Sequence, residues 1–226
     1  MIIRNAEETR RRYQEQMGEA LGSAFYTVVG HVHYLHAKWG DYIALFDQQN
    51  RVELLNKIAP AYFARLQEMF IDDIFLHISR LTDRPRMGKY EHLNMKRLIE
   101  MLDDPSVKDR VAPLLADLEH KAGAYREWRN RRIAHTEYEL ATGQSTDPLP
   151  PTTRAMTKEV IDAISEITNV ICQHYCDSDL YFRYDEGGGA SDLLYVMHDG
   201  LLMEKQREAR RAAGDYRVED YAPVDL

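Results

Sequence analysis

The sequence has few cysteines and no long hydrophobic run, and both absences exclude classes of protein. Cys172 and Cys176 are the two cysteines among 226 residues, too few for a disulfide framework. Because His174 falls on another face of their predicted helix, buried thiols are expected rather than a metal pocket. No apolar stretch approaches the roughly 20 residues of a membrane span, and the N-terminal segment lacks a secretory signal pattern. We therefore expect a cytoplasmic protein that does not associate with membranes.

Excess positive charge and alternating apolar patterns are also missing. The chain has 29 Lys and Arg against 37 Asp and Glu, a formal net charge of −8, which argues against nucleic-acid binding by the surface as a whole. Any contact with RNA must therefore be made by a local basic patch. Alternating runs rich in β-branched residues, which would indicate strands, are almost absent. Helical periodicity covers most of the chain instead.

Apolar residues recur every three or four positions in several long stretches, which predicts amphipathic helices. One pattern covers residues 6–46 with a break near 18–22, and another begins at Pro60 and ends at a loop containing Pro85 and Gly88. Shorter helical patterns cover residues 52–58 and the stretch HLNMKRLIEMLDDPS, whose helix is expected to end at Pro105. Longer patterns cover residues 107–135, 160–175 and 193–212. Several helices joined by short or medium loops predict an all-α, up-and-down helical bundle.

A glycine-rich stretch, DEGGGAS at residues 185–191, divides the predicted organisation. We interpret it as a flexible linker, because no preceding strand and no following Lys-Ser or Lys-Thr pair supports a phosphate-binding loop. The expected organisation is a helical bundle over residues 1–185. A linker, an appended amphipathic helix and a tail then occupy residues 186–226, with Ser191 as the expected N-cap of that helix.

The stretch EWRNRRIAHTEYEL, residues 127–140, carries an Arg-Asn pair, two further arginines and a histidine near a predicted helix end. At about 100° per residue, Arg129 lies on the same apolar stripe as Leu118. A guanidinium cannot lose its proton there, so burial requires an anionic partner. We expect Asp72, Asp73 or another carboxylate of the bundle, unless the side chain reaches solvent at the bundle end.

The histidine of this stretch points elsewhere on an ideal helix. His135 lies about 120° from Arg129 around the helix axis. One rigid helix would therefore not bring both groups to a single atom. A common site requires either a two-fold dimer, in which four such groups face one another, or a helix end that re-aims His135.

The sequence RNRRIAH matches the R-N-x4-H signature of HEPN domains. The segments APAYFARLQEMFIDDIFLHISRLTD, HLNMKRLIEML and RNRRIAHTEYEL resemble, in that order, blocks of the abortive-infection, AbiU-like branch of this superfamily. The resemblance is clear over about residues 60–140. It implies an all-helical, HEPN-like bundle and a metal-independent endoribonuclease without a cofactor. It also implies a homodimer whose two motifs meet in a cleft, in a toxin or antiphage defence setting.

Carried over onto this sequence, the motif assigns Arg129, Asn130 and His135 as catalytic residues. An ordinary imidazole can take a proton from a ribose 2′-hydroxyl or return one to the leaving oxygen. Arginine can hold the extra negative charge on phosphorus with two hydrogen bonds, and Asn130 could position the phosphate or His135. Arg131 and Arg132 are expected to bind the RNA backbone. An antitoxin or another regulatory protein is a further expected partner.

One departure from the family pattern concerns a tyrosine. Toxins of the nucleotidyltransferase-paired branch carry tyrosine two residues after the histidine, whereas Tyr138 stands three residues after His135. Modification of that tyrosine by a partner enzyme is therefore not carried over to this chain.

Other clusters of polar residues favour packing over chemistry. In HVHYLH, none of His31, His33 and His36 stands four positions from another, as a two-histidine metal face on a helix requires. Core or interface positions are therefore expected for them. Arg80 and Asp83 are three residues apart and are expected to form a local ion pair at a helix end.

Two other functions fit the same residues. A non-catalytic HEPN-like module would bind a nucleotide, RNA or a protein partner, with Arg129 as an anion anchor or in an internal ion pair. A scaffold protein would use its last helix to pack on its own bundle or on a second subunit. RNA cleavage at a dimeric cleft formed by Arg129 and His135 is the leading hypothesis.

Overall fold

The fold is all-α, as the helical periodicity predicts, apart from one short β-hairpin. The computed structural model describes residues 5–182 and 189–220. Its helices are α1 Ala6–Met17, α2 Glu19–Phe46, α3 Gln49–Ile58, α4 Pro60–Thr82, α5 Met95–Glu100, α6 Pro105–Lys121, α7 Gly123–Trp128, a π-helix Arg129–Ile133, α8 Tyr138–Ala141, α9 Arg154–Cys176, α10 Ala190–Ala212 and a 3₁₀ turn Val218–Asp220. In the hairpin, β1 Arg86–Met87 pairs antiparallel with β2 Tyr90–Glu91.

Gly18 separates α1 from α2, and Gly22 lies in the first turn of α2, at the break that the sequence predicts. Asn5 caps α1 by accepting from the Glu8 N–H at 2.9 Å, and the Glu8 side chain accepts from the Asn5 N–H in return. Gly18 ends α1 with φ +82°, a conformation that favours glycine. A Cβ on Gly22 would lie 2.4 Å from the backbone of Tyr13, so α2 approaches α1 closely at this position.

The first of two compact units comprises residues 1–39 and 69–184. Helix α9 packs mainly against α6 and also against α1. The apolar stripes of these helices meet in a core from which solvent is excluded, and burial of each such side chain contributes roughly 1.5–3 kcal/mol. Its fully buried residues include Phe25, Val28, Val32, Leu35, Ile74, Ile78, Leu98, Val111, Leu118, Tyr125, Ile161, Ile164 and Ile171.

The second unit comprises residues 40–68 and 185–226. Helix α10 packs on α3, and its Leu194 is buried. An open groove of about 610 Å³ runs between these two helices. The other buried apolar residues of this unit are Tyr42, Leu45, Phe46, Leu55 and Phe63.

The start of α10 differs from the predicted start. Gly189 occupies the N-cap position and no side chain caps the helix, so the assignment of Ser191 as the N-cap is wrong. A carboxylate replaces that cap, because Asp41 Oδ1 accepts from the Ala190 N–H at 3.2 Å. Most of the predicted glycine linker, at residues 185–188, lies outside the described residues.

No helix within residues 5–182 and 189–220 combines the length and apolarity needed to cross a bilayer.

Candidate functional site

The helix that carries the R-N-x4-H motif is interrupted twice. The sequence predicts one helix over residues 107–135, whereas α6 ends at Lys121, α7 begins at Gly123, and α-helical geometry ends at Trp128. Residues 129–133 form a π-helix, in which the Ala134 N–H donates to the Arg129 carbonyl at 2.8 Å. An i→i+5 bond inserts one extra residue into the turn. The angle between Arg129 and His135 on an ideal α-helix therefore does not apply.

Helix α7 is fixed by the side chains that precede the motif. Tyr125 is fully buried, and its hydroxyl donates to Thr157 Oγ1 at 3.1 Å. Its carbonyl accepts from the Ser79 hydroxyl at 3.2 Å, and burial raises the pKa of the Tyr125 phenol. Trp128 Nε1 donates to the Pro150 carbonyl at 2.8 Å. The π-helix therefore begins from a rigid base.

Arg129 forms a two-pronged ion pair with Asp83. Its Nη1 donates to Asp83 Oδ2 at 2.6 Å and its Nη2 to Oδ1 at 2.8 Å. The two side chains are only 19% and 16% exposed, so the pair is shielded from solvent and stronger than a surface pair. Asp83 is itself positioned, because the buried Asn94 side chain donates to its carbonyl at 2.9 Å.

This pairing corrects two expectations about carboxylates. Asp72 and Asp73 do not bind Arg129: Asp72 lies 3.9 Å from Arg132, and Asp73 forms an ion pair with Lys38 at 2.5 Å. The predicted local pair between Arg80 and Asp83 is also wrong, since both Asp83 oxygens hold Arg129. The general expectation that a seam-facing arginine needs an internal carboxylate is confirmed, with a carboxylate just beyond α4 as the partner.

Arg129 retains hydrogen-bonding capacity after binding Asp83. A guanidinium carries five N–H groups, of which Asp83 uses one on each Nη. Within the described part of the chain, no acceptor is bonded to the other three, and Nε is buried without a partner. Unsatisfied buried donors are rare and often mark a ligand or water position. The Nε edge of Arg129 is therefore suited to an anionic oxygen.

Arg131, expected to bind substrate, is surrounded by acceptors of its own chain. Its three guanidinium nitrogens donate to Glu127, Glu137 and Asp147, and also to the Ser145 hydroxyl. Donation of hydrogen bonds to Glu137 and Glu127 raises the Arg131 pKa further above its usual range. The bond from Arg131 lowers the pKa of Glu137. These contacts connect the loop after the motif to the π-helix. Substrate binding by Arg131 stays a prediction.

Arg132 and Arg126 differ from Arg131 in what they contact. The Arg132 guanidinium lies over the Trp128 ring at 5.3 Å and is partly exposed at the surface. Arg126 donates to the Thr82 carbonyl at 3.2 Å and to the Glu119 carbonyl at 2.8 Å. It thereby satisfies carbonyls near the C-termini of α4 and α6, where a cation is favourable. This anchoring role of Arg126 has no signal in the sequence beyond its charge.

Asn130 and His135 remain at the surface without internal contacts. Both are exposed. Among residues 5–182 and 189–220, no hydrogen bond or ion pair holds either side chain, and none joins them to Arg129 or to each other. Tyr138 is also exposed, at the start of α8. The chain therefore presents an amide and an imidazole to solvent beside an internally anchored arginine.

A family model described as HEPN AbiU2 matches residues 21–192 of the chain. The chain belongs to the AbiU2 family of HEPN domains. The matched region contains most of α2 and all of α3 to α9, and with them Asp83 and the whole R-N-x4-H motif, but it ends in the first turn of α10. AbiU2 domains are of the abortive-infection type of HEPN domain. Comparison with characterised proteins and with solved structures gives no match.

The three histidines of HVHYLH, expected at core or interface positions, differ in burial in this AbiU2 domain: His36 is half-buried, whereas His31 and His33 are exposed, so neither of these two is a core residue. The His36 ring stacks on Phe182 at 4.9 Å, and His33 contacts the same ring at 4.8 Å. Burial lowers the His36 pKa to about 4, so this side chain is neutral at pH 7. On the other side of α2, His31 lies against the buried His77. No group of three or more potential metal ligands occurs in the described residues.

Proposed function

We propose that this AbiU2 domain is a metal-independent endoribonuclease that acts as a homodimer, with Arg129, Asn130 and His135 of both chains in one cleft. The observation that carries the proposal is the contrast within the motif. Arg129 is anchored by Asp83 and keeps unused donors, while Asn130 in the π-helix and His135 just after it lie exposed, with no partner among the described residues. Asn130 and His135 are therefore available to a ligand.

The two edges of the Arg129 guanidinium are proposed to bind different groups, one Asp83 and the other a phosphate. Asp83 holds the end formed by Nη1 and Nη2. The Nε edge then offers two parallel N–H groups, the geometry that binds two oxygens of a phosphate. Because Asp83 fixes the guanidinium before substrate arrives, little reorganisation is needed when negative charge develops on phosphorus. Arg129 is thus proposed as the group that stabilises the transition state.

His135 is proposed to transfer the protons. Its imidazole removes the proton from the ribose 2′-hydroxyl, and the 2′-oxygen forms a bond to phosphorus as the bond from phosphorus to the 5′-oxygen breaks. The departing 5′-oxygen takes a proton from an imidazolium, for which a two-fold cleft supplies the second copy of His135. The products are a 2′,3′-cyclic phosphate and a 5′-hydroxyl. Asn130 binds a phosphate oxygen with its amide N–H groups.

The first test is cleavage of cellular RNA by the purified protein in EDTA. The proposal predicts cleavage without added metal and products that end in a cyclic phosphate. The His135→Ala variant is expected to be inactive while retaining the wild-type circular dichroism spectrum. RNA cleavage by the His135→Ala variant, or cleavage that requires Mg²⁺, would contradict this mechanism.

The second test concerns the shared cleft. Arg129→Ala and His135→Ala homodimers are both expected to be inactive. The mechanism needs both copies of His135, so mixed dimers of the wild type and His135→Ala, obtained by refolding the two chains together and isolated with two affinity tags, are also expected to be inactive. Substantial cleavage by these mixed dimers would mean that one chain carries a complete site, and would contradict the shared cleft.

The alternative is a non-catalytic module, and one observation favours it. The Arg129–Asp83 pair and the internal contacts of Arg131 are also what a purely structural role would produce. This alternative predicts no cleavage under any metal condition and a rise in melting temperature with a nucleotide, RNA or protein ligand. A thermal-shift screen with nucleotides, together with native mass measurement, separates the two functions.

A further inference from the structure

The β-hairpin between α4 and α5 carries a local excess of positive charge. Its sequence RPRMGKYEH, residues 84–92 and here called the basic hairpin, contains three cations and one acidic residue. The cations are Arg84, Arg86 and Lys89, and the acidic residue is Glu91. Because the chain as a whole has a net charge of −8, contact with RNA requires a local patch of this kind.

The cations of the basic hairpin are not neutralised by neighbouring carboxylates. Arg84, Arg86 and Lys89 are exposed, and among residues 5–182 and 189–220 no carboxylate forms an ion pair with any of them. Glu91 stands opposite Arg86 in the hairpin but pairs with Arg97 at 3.3 Å. The three cations are therefore available to an anionic ligand.

An exposed aromatic ring lies beside these cations. Tyr90 is 63% exposed, and the Lys89 ammonium lies 5.2 Å from the centre of its ring. Single-stranded nucleic acids are bound by this combination, since a base stacks on the ring while the phosphate backbone contacts the cations. In a duplex the bases remain stacked on one another, so the arrangement favours a single strand.

The basic hairpin begins directly after the carboxylate that holds Arg129. Asp83 binds the Arg129 guanidinium at 2.6 and 2.8 Å, and its carbonyl accepts from the buried Asn94 side chain at 2.9 Å. The His92 N–H closes the base of the hairpin by donating to the Pro85 carbonyl at 2.7 Å. The tip of the hairpin, five residues after Asp83, lies at most about 18 Å from it. The basic hairpin therefore borders the position proposed for the reacting phosphate.

We infer that the basic hairpin binds the RNA substrate as a single strand, with its three cations on phosphates and Tyr90 stacked on a base. These contacts add to those predicted for Arg131 and Arg132, of which Arg131 already has three carboxylate partners in its own chain. The inference rests on the proposed function for the identity of the ligand, RNA. It adds the single-stranded form of the substrate and the surface that holds it.

Fluorescence anisotropy with a labelled single-stranded oligoribonucleotide tests the cations. Each chain also carries His135→Ala and the buffer contains EDTA, so the RNA stays intact. Arg86→Ala combined with Lys89→Ala is expected to raise the Kd about 10-fold at low salt. The slope of log Kd against log salt concentration is expected to fall by about 1.4, from two lost phosphate contacts. Both side chains are exposed, so the melting temperature is expected to stay unchanged.

The matched control is Arg10→Ala combined with Arg11→Ala, which removes the same charge from exposed positions on α1. The neighbouring Arg12 donates to the carbonyl of Cys176, at the end of α9, whereas α7 contacts that helix at Thr157. Residues 157 and 176 lie roughly 28 Å apart along α9, beyond the range of unscreened charge. The control Kd is therefore expected to stay within about 2-fold of the parent value. Equal weakening in both double variants, an unchanged Kd in the hairpin variant, or no RNA binding by the parent chain overturns the inference.

Tyr90→Ala tests the preference for a single strand. Loss of base stacking is expected to raise the Kd for single-stranded RNA about 5-fold or more, and to leave the Kd for a duplex of the same sequence within about 2-fold. Tyr181→Ala is the matched control, because Tyr181 is 77% exposed but lines a depression with Asp162 and Glu166. Its Kd for both RNAs is expected to match the parent value. An unchanged single-strand Kd in Tyr90→Ala, or equal loss for single strand and duplex, overturns the inference.

A photochemical cross-link gives a readout that does not depend on altering the hairpin. Single-stranded RNA that contains iodouracil reacts on irradiation with an aromatic side chain on which the base stacks, and the cross-linked peptide is expected to contain Tyr90. Cross-links confined to other exposed tyrosines, such as Tyr138 or Tyr181, overturn the inference. RNA binding at the basic hairpin by a wild-type chain that cleaves no RNA would contradict the proposed function alone. Cleavage with an unchanged Kd in the hairpin variants would contradict this inference alone.

Discussion

Two segments of this chain are rich in histidine or arginine, and their surroundings give them opposite properties. In residues 31–36, the half-buried His36 stacks on Phe182, and burial lowers its pKa to about 4. In residues 126–135, His135 is exposed and has no partner within the part of the chain that the structure describes. A buried imidazole with a lowered pKa is held neutral by packing, whereas an exposed one can exchange protons with a ligand. The neighbours of a histidine, rather than the number of histidines, indicate its use.

The arginines of the motif segment show the same division. Arg126 and Arg131 donate to carbonyls and carboxylates of their own chain, which connects α7 to the elements around it. Arg129 is anchored at one end of its guanidinium and retains three donors. This difference separates the residue that belongs to a site from those that support it, although all three have the same charge.

The largest expected effect comes from removing one histidine from each of the two segments and comparing the variants. His135→Ala should reduce RNA cleavage by about 100-fold or more, the usual loss when a proton-transfer group is removed, with an unchanged melting temperature. His36→Ala should do the reverse, since it removes ring packing on Phe182 and the hydrogen bond to Ser165. Its melting temperature should fall, and cleavage per folded molecule should stay within about 3-fold of wild type. Loss of cleavage in both variants to the same degree would remove the distinction between the segments.

The next effect concerns the geometry of Arg129. Arg129→Lys keeps the positive charge but loses the fork that can hold Asp83 and phosphate together, so cleavage should fall by about 10- to 100-fold. Arg132→Lys is the matched control, because Arg132 lies partly exposed over the Trp128 ring. Its cleavage rate should change by less than about 3-fold. Equal loss in both variants would mean that charge alone, not the fork, matters.

Asp83→Asn should give a smaller loss, because Arg129 keeps its position in the chain but loses its charged partner. Cleavage should fall about 10-fold, and the free energy of unfolding by about 1–3 kcal/mol. Asp162→Asn removes the carboxylate of an exposed ion pair with Lys158. It should leave the cleavage rate unchanged and the free energy of unfolding within about 0.5 kcal/mol of wild type. Kinetics and urea unfolding of the two variants give the comparison. Higher activity in Asp83→Asn would show that Asp83 restrains Arg129 rather than positioning it.

The smallest effect is a pH dependence of stability that arises from the packed histidines. Burial, and then the neighbouring Lys38, lower the His77 pKa to about 4. Between pH 6.5 and 4 the unfolded chain therefore binds a proton that the folded chain does not, and stability falls as the pH falls. His77→Gln should remove about 1–2 kcal/mol of this decrease between pH 6.5 and 5. Urea unfolding of the wild type and of His77→Gln across this pH range gives the comparison, and identical pH profiles for the two would contradict the assignment.

Much of the fold follows from local sequence signals. The helical periodicity, the break at Gly18 and the helix start at Pro60 each have a chemical cause within a few residues, and all are present in the structure. The start of α10 was less predictable, since Asp41 supplies the cap from a distant part of the sequence. The start of α10 depends on a contact between residues far apart in the sequence, which the spacing of nearby residues does not reveal.

The site shows the same limit more clearly. The apolar stripe predicts that Arg129 needs a buried carboxylate, but only tertiary packing selects Asp83 over Asp72 and Asp73. The π-helix arises at the end of a helix whose base is fixed by Tyr125 and Trp128, and no residue type in RNRRI signals it. The internal contacts of Arg131 likewise depend on a loop whose path the sequence does not specify.

The most direct test of the central claim uses one RNA in two forms. Once the cleavage position is mapped, the wild-type protein is incubated in EDTA with that RNA and with the same RNA carrying a single 2′-deoxyribose at that position. Attack by the 2′-hydroxyl, with proton transfer by His135, predicts cleavage of the first RNA to a 2′,3′-cyclic phosphate and no cleavage of the second at that position. Equal cleavage of both RNAs, or cleavage of neither until Mg²⁺ is added, would contradict the claim.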